Sequence, residues 1–286
     1  MRIAFIGAGR LVQTLAPAFG QAGFDVVAIA ARNPARAMAR VPAIAGCEVF
    51  ASAQQAADMA DLVFIAVSDS AIAEVTGQIA WRAGQSVVHC SGATEVSVLH
   101  AAVEQGAQIG GFHPLQLFAD PATALRCMAG SSVAIEAEVP LEATLRTLAL
   151  AVGYRAIHLP PGARGRYHCA TNYGASFILS LLREACDLWN SFGVSDEQAL
   201  AALLPLARGT LEAAQANGMA GAMSGPISRG DADVVALHMR EIMAVDTCHL
   251  GLYREVSLRL LRLAREQGRL DDASLARLET TIHAGG

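Results

Sequence analysis

Short apolar runs alternate with longer amphipathic stretches through the first half of the chain. Residues 1–6 are almost wholly apolar, the pattern of a strand covered on both faces in a parallel sheet. Runs of the same kind recur at 24–30, 47–50, 61–67, 85–90, 108–112, 131–135 and 155–159. Between them, helical periodicity predicts helices over 11–20, 33–40, 52–59, 71–79, 95–105 and 141–152, with Ser52 capping one and Asp69 or Ser70 another. Strand and helix in regular alternation predict an α/β fold with a doubly wound, mainly parallel sheet.

The texture changes at Pro160-Pro161-Gly162, where a domain boundary is expected, giving 1–160 and 161–286. No strand pattern follows. Residues 167–192 read as one long apolar helix stopped by Gly193, and 195–217 as a second, capped by Ser195 and open to a break at Pro205. Residues 225–230 read as a loop, and helices follow over 231–243, 247–267 and 271–282. A helix apolar most of the way round must be buried nearly all round. The helices at 167–192 and 247–267 therefore predict a homodimer formed by the second domain.

The first strand runs straight into Gly7-Ala8-Gly9-Arg10-Leu11-Val12 and then a helix and a second strand, the context a dinucleotide fingerprint requires. Gly7 permits a tight turn, and Gly9 lets backbone N–H groups approach a pyrophosphate at the positive end of the helix. Val12 stands where the fingerprint has its third small residue, so the match is imperfect. The second strand ends without the acidic residue that holds an NAD ribose; Arg32 is there instead, with Arg36 one turn on. A guanidinium fork fits a 2′-phosphate, which favours NADP over NAD; the other reading of Arg32 is a solvated surface arginine. Strand carboxyl ends carrying Val67, Ser68 and Ser91 complete the expected cofactor contacts.

Composition narrows the field. The net charge is −5 with no basic run, which argues against a nucleic-acid partner. No apolar stretch reaches about 18 residues, so no membrane span is expected. Two glycines interrupt the opening before a signal peptide could form, so a cytoplasmic protein is expected. The six cysteines show no C-x-x-C and no zinc spacing, which predicts reduced, mostly buried thiols and no metal. The chain has no lysine, which excludes Schiff-base chemistry and a lysine general acid.

Candidate chemistry gathers at a few polar side chains. His113 is expected just past a strand, its backbone fixed by Pro114; imidazole suits proton transfer near neutral pH, and equally suits a local bond holding a loop. His168, Asn172 and Ser176 recur every four residues on an otherwise apolar helix, a stripe that needs a substrate, a second subunit or a core network as partner. Arg229, between Ser228 and the expected cap Asp231, could clamp a small anionic substrate or form a salt bridge. The expected cleft has His113 on the sheet side and His168, Asn172 and Arg229 on the helical side.

The stretches GAGRLVQTLA (7–16), VSDSAI (67–72), VVHCSGA (87–93), GFHPLQLF (111–118), RYHCATNYGASF (166–177) and GPISRGD (225–231) together resemble the Rossmann-like proteins with a C-terminal DUF2520 domain. The first half also resembles the NADP-binding domains of pyrroline-5-carboxylate reductase, of the F420-dependent NADP oxidoreductases and of the 6-phosphogluconate and β-hydroxyacid dehydrogenase group. The resemblance implies a Rossmann domain, a helical C-terminal domain and a dimer, but no particular substrate. The β-hydroxyacid enzymes use a lysine that this chain lacks, so their reactions do not carry over. The reading is an NADP-dependent oxidoreductase acting on a small C=O or C=N substrate, with catalytic His113, His168, Asn172 and Arg229. The alternative is a nucleotide-binding sensor without hydride transfer.

Overall fold

The computed structural model describes residues 1–284 and divides into two compact units, Met1–Tyr173 and the residues from Gly174 onward. The division falls later than Pro160-Pro161-Gly162, because the helix that follows those residues belongs to the first unit.

The first unit is built on one eight-stranded sheet in the order β3-β2-β1-β4-β5-β6-β7-β8. The strands are β1 (Arg2–Ile6), β2 (Asp25–Ala30), β3 (Glu48–Phe50), β4 (Leu62–Ile65), β5 (Ser86–His89), β6 (Gln108–Leu115), β7 (Ser132–Ala137) and β8 (Arg155–His158). Helices α1 (Arg10–Gln21), α2 (Pro34–Arg40), α3 (Ala53–Asp58), α4 (Ile72–Gly77), α5 (His100–Val103), α6 (Pro121–Arg126), α7 (Leu141–Ala151) and α8 (Arg164–Tyr173) connect or cover them. Period-two alternation explains the layering. Ile3 and Phe5 of β1 join a core with Leu15 and Phe19 of α1, while Ala4 and Ile6 join an opposite core with Ala56 and Ala57 of α3. Stacked Phe5 and Phe64, with ring centroids 5.0 Å apart, and edge-on Phe64 and Phe112 at 5.6 Å, anchor the first core.

Two expectations are corrected here. Strand β6 does not end at Phe112; it continues through His113 and Pro114 to Leu115, so His113 lies within a strand, opposite Ala134. The pairing of β6 with β7 is antiparallel, although every other pair is parallel. That ladder extends β6: its last residues pair with β7 after parallel pairing with β5 stops at Gly111. Neither Asp69 nor Ser70 caps the helix after β4; a 3₁₀ turn, Asp69–Ala71, leads into it instead. Ser52 does cap α3, accepting from Gln55 N at 3.4 Å.

The second unit is helical: α9 (Ser176–Asn190), α10 (Asp196–Ala222), α11 (Gly225–Arg229), α12 (Ala232–Val245), α13 (Cys248–Gln267) and α14 (Asp272–Ala284). Its core joins Val235, Met239 and Ile242 of α12 to Leu261 of α13 and Leu278 and Ile282 of α14. The single helix expected over 167–192 is two helices. The chain leaves helical geometry at Ala175 (φ −129°, ψ −90°) after Gly174, so the stripe His168, Asn172, Ser176 is interrupted. Pro205 does not break α10; the kink comes at Gly218, whose φ is 72°. The loop expected at 225–230 is the short helix α11. Among the described residues no helix is long and apolar enough to cross a membrane. All six cysteines are free, but only Cys90 and Cys186 are buried; Cys127, Cys169 and Cys248 are exposed.

Candidate active site in the sheet unit

The sheet reverses its winding between β1 and β4, and their carboxyl ends open there into a cleft of about 830 Å³. Gly7 forms its floor. Its φ is +116°, and a Cβ there would lie 2.3 Å from the Ala66 carbonyl oxygen, so no other residue fits without displacement. Gly9 meets nothing within 4 Å and starts α1 as an N-cap without a side-chain bond. The N–H groups of Arg10, Leu11 and Val12 are consequently the unpaired first donors of that helix. The Val12 side chain is fully buried in the core; the third fingerprint position is filled by packing, and only its backbone can serve a ligand. Ala8 lines the cleft, and its carbonyl accepts from Gln13 Nε2 at 3.0 Å.

Arg32 stands at the end of β2, exposed and on the cleft wall with Arg36 and Arg40. Asn33 caps α2 by accepting from Arg36 N at 2.9 Å, and Asn33, Arg36 and Ala37 line the cleft. None of the three guanidinium groups enters an ion pair among the described residues. Val67 and Ser68 line the cleft from the end of β4. Ser91 does not line it. Its hydroxyl is engaged in its own turn, donating to Thr94 Oγ1 at 2.9 Å and accepting from Thr94 N at 3.0 Å.

A second cluster lies beside the carboxyl end of β5. His113 Nδ1 and Tyr167 Oη are 2.8 Å apart, and the His113 and His168 ring centroids are 6.0 Å apart. Both histidines rest on Gly92, where a Cβ would come within 2.5 Å of His168 Cδ2 and 2.8 Å of His113 Cε1. Burial, then the neighbouring His168 and Arg164, pull the His113 imidazole down to about 4, so it is neutral at physiological pH. Burial pushes the Tyr167 phenol well above its usual range. Asn172 Nδ2 donates to the His168 carbonyl at 3.4 Å. His113, His168 and Asn172, expected on opposite walls of a cleft, thus belong to one compact unit. Arg229 belongs to the other unit, where its Nε donates to Asp231 Oδ2 at 3.0 Å. Asp231 precedes α12 but makes no side-chain capping bond.

Tyr167 and Arg164 were not singled out by sequence. The available signal was Gly110-Gly111 inside a strand, since glycine there marks a close approach by another group.

Two family models match the chain: a Rossmann-like domain over residues 1–114 and the domain of unknown function DUF2520 over residues 131–260. The chain joins a Rossmann-like domain to a DUF2520 domain. The Rossmann-like match contains the glycine turn and His113; the DUF2520 match contains Tyr167, His168 and Asn172. Among solved structures, a Thermotoga maritima protein is 20% identical, covering 93% of this chain and 100% of its own, with TM-score 0.75. A candidate NADP oxidoreductase from Bacteroides fragilis is 23% identical over 90% of this chain and 96% of its own, with TM-score 0.68. A reductive aminase from Aspergillus terreus, in complex with NADPH and ethyl levulinate, is 16% identical over 99% of this chain and 92% of its own, with TM-score 0.64. These likenesses establish the fold. None of the curated proteins compared matches the chain.

Proposed function

We propose that this Rossmann–DUF2520 protein binds NADP(H) and transfers a hydride between it and a small C=O or C=N substrate. The observation that carries the reading is the cleft at the switch point: an obligatory Gly7, an open Gly9 and a helix start on one side, unpaired Arg32, Arg36 and Arg40 on the other. The glycine turn suits the pyrophosphate and the arginines suit the 2′-phosphate. The NADPH complex of the Aspergillus terreus reductive aminase, a chain of the same fold, supports the choice of cofactor and of a carbonyl or imine centre.

His113 is the acid–base group of this reading. Neutral at physiological pH, it takes the proton released when an alcohol or amine is oxidised and returns it in reduction. His168 and Asn172 hold the polar end of the substrate. Calorimetry tests the cofactor. NADPH should bind more tightly than NADH, and Arg32→Ala should weaken NADPH by about tenfold or more while sparing NADH. Absence of binding by either nucleotide would overturn the reading.

We also propose that the protein is a homodimer through its helical unit. Leu179 and Leu206 there are each 68% exposed and Leu211 is 59% exposed, an apolar surface that a second copy would cover. Light scattering at micromolar concentration should give twice the chain mass; a monomer would refute it.

A further inference from the structure

Arg164 is fully buried, rare for a guanidinium. Nε donates to Glu136 Oε2 at 2.5 Å and Nη1 donates to the Ser91 carbonyl at 2.6 Å. Nη2 has no partner among the described residues. It lies over β6 at Gly111, where a Cβ would be 1.7 Å from Nη2. Gly111 faces Glu136 across the antiparallel ladder, so the arginine must pass over Gly111 to reach its carboxylate.

The next step is one of register. His113 follows Gly111 by two strand residues and shares its face of β6, about 6.6 Å further on. Tyr167 and His168 follow Arg164 by three and four helical residues on one face of α8, about 4.5 and 6 Å further on. The strand spacing is close to that of His168 and within reach of the long Tyr167 side chain, so the Arg164–Gly111 contact and the Tyr167–His113 bond are successive rungs between one strand and one helix.

We propose that Arg164 is a positioning residue for His113: seated in the slot left by Gly111, it fixes the start of α8 on β6 and thereby sets the Tyr167–His113 hydrogen bond. The inference takes from the proposed function only that His113 is the proton-transferring group. The same guanidinium also bears on the charge of the imidazole. Tyr167 and His168 face His113 from α8, Arg164 from the head of that helix, His89 from β5 and Asp69 from the turn after β4. Asp69 favours the imidazolium; Arg164 and His168 oppose it.

The experiment follows histidine ring nitrogens by NMR through a pH titration of the full chain. One variant is the neutral pair Arg164→Met with Glu136→Gln, which avoids a lone buried carboxylate. The other is Gly111→Ala, which keeps every charge and blocks the slot. In the neutral pair, His113 should titrate above its native value of about 4, toward the ordinary imidazole range, and the ring-nitrogen signature of its bond to Tyr167 should be lost. In Gly111→Ala that bond signature should be lost as well. A purely structural ion pair would lower stability in both and leave the His113–Tyr167 bond signature unchanged, which would overturn the inference. Should the neutral pair fail to fold, Gly111→Ala decides alone, by retention or loss of the bond. Calorimetry with 2′,5′-ADP, which probes only the arginine-lined cleft, separates the two ideas. Normal 2′,5′-ADP binding with unaltered His113 spectra defeats the positioning role and leaves the cofactor reading standing. Absent 2′,5′-ADP binding with altered His113 spectra does the reverse.

Discussion

At the scale of single residues, one atom decides much of the cleft at the switch point. The hydrogen on Gly7 Cα points at the Ala66 carbonyl, and any methyl in its place would sit 2.3 Å from that oxygen. Gly7→Ala must move the end of β1 away from the turn after β4, on top of the cost of holding a non-glycine residue at φ +116°, about 1–3 kcal/mol. The expected outcome is a lower urea midpoint together with loss of binding for NADPH and NADH alike, in contrast to the selective loss at Arg32. The glycine was legible in the sequence because its reason is local: a strand, a turn and a helix follow one another without a gap. Val12 was legible only in part. Sequence marked it as a departure from the fingerprint, whereas its complete burial depends on how α1 packs against β1. Arg164 was not legible from its own surroundings; only the glycine pair in β6 hinted that some group approaches there. Its partners, Ser91, Gly111 and Glu136, come from three separate strand regions, and nothing in the local pattern RGRY announces a buried guanidinium.

At the scale of elements, the inner strands β1, β2, β4 and β5 were the most legible because they are buried on both faces and therefore almost uniformly apolar. The reversal between β6 and β7 was hidden for the same reason: an apolar run reads the same in either direction. In the helical unit the breaks were misplaced. Pro205 lacks the N–H for one helical bond, yet α10 continues through it, while Gly218 supplies the left-handed conformation at which the helix kinks. The corner from α9 to α10 depends on Asp196, which accepts from Arg183 Nη1 and Nη2 at 2.8 and 2.7 Å and from Asn190 Nδ2 at 2.9 Å. The Arg183 fork, then Asn190, hold its carboxyl well below the usual carboxylate range. Its folded affinity for protons is therefore lower than its unfolded one. The contribution is complete at neutral pH and fades as pH falls through and below the ordinary carboxylate range. Thermal melts of Asp196→Asn should lie below those of the native chain at neutral pH, and the gap should narrow toward about pH 2. An unchanging gap would count against the tie.

For the whole molecule, the arrangement of the sheet unit makes it sensitive to mild acid. Burial, then Arg164, lowers the His89 imidazole to about 3, and burial, then His168, lowers His113 to about 4. In the unfolded chain both would titrate near about 6.5. Below that value the unfolded state binds more protons than the folded one, so stability present above about 6.5 drains away as pH falls toward the folded values. Urea midpoints should therefore drop between about pH 7 and pH 5, before most carboxylates titrate. His89→Gln should flatten that slope; a midpoint independent of pH across the interval would contradict the burial of both rings. Fold class was readable from the alternation of runs alone. The grouping of His113, His168 and Asn172 within one unit was not, because it depends on α8 packing with the sheet that precedes it rather than with the helices that follow.

That packing has a consequence for how the chain can vary in length. Tyr167 and His168 reach His113 only while they stay three and four residues from Arg164, since each residue added to an α-helix turns everything beyond it by about 100°. One residue inserted between Arg164 and Tyr167 would swing both rings off His113 while leaving the arginine seated, whereas residues added at Pro160-Pro161-Gly162, ahead of the arginine, would leave the spacing intact. The short segment 164–168 is thus a place that should keep its length as strictly as its Arg164, Tyr167 and His168 side chains, and the proline-rich turn before it is where length differences should accumulate.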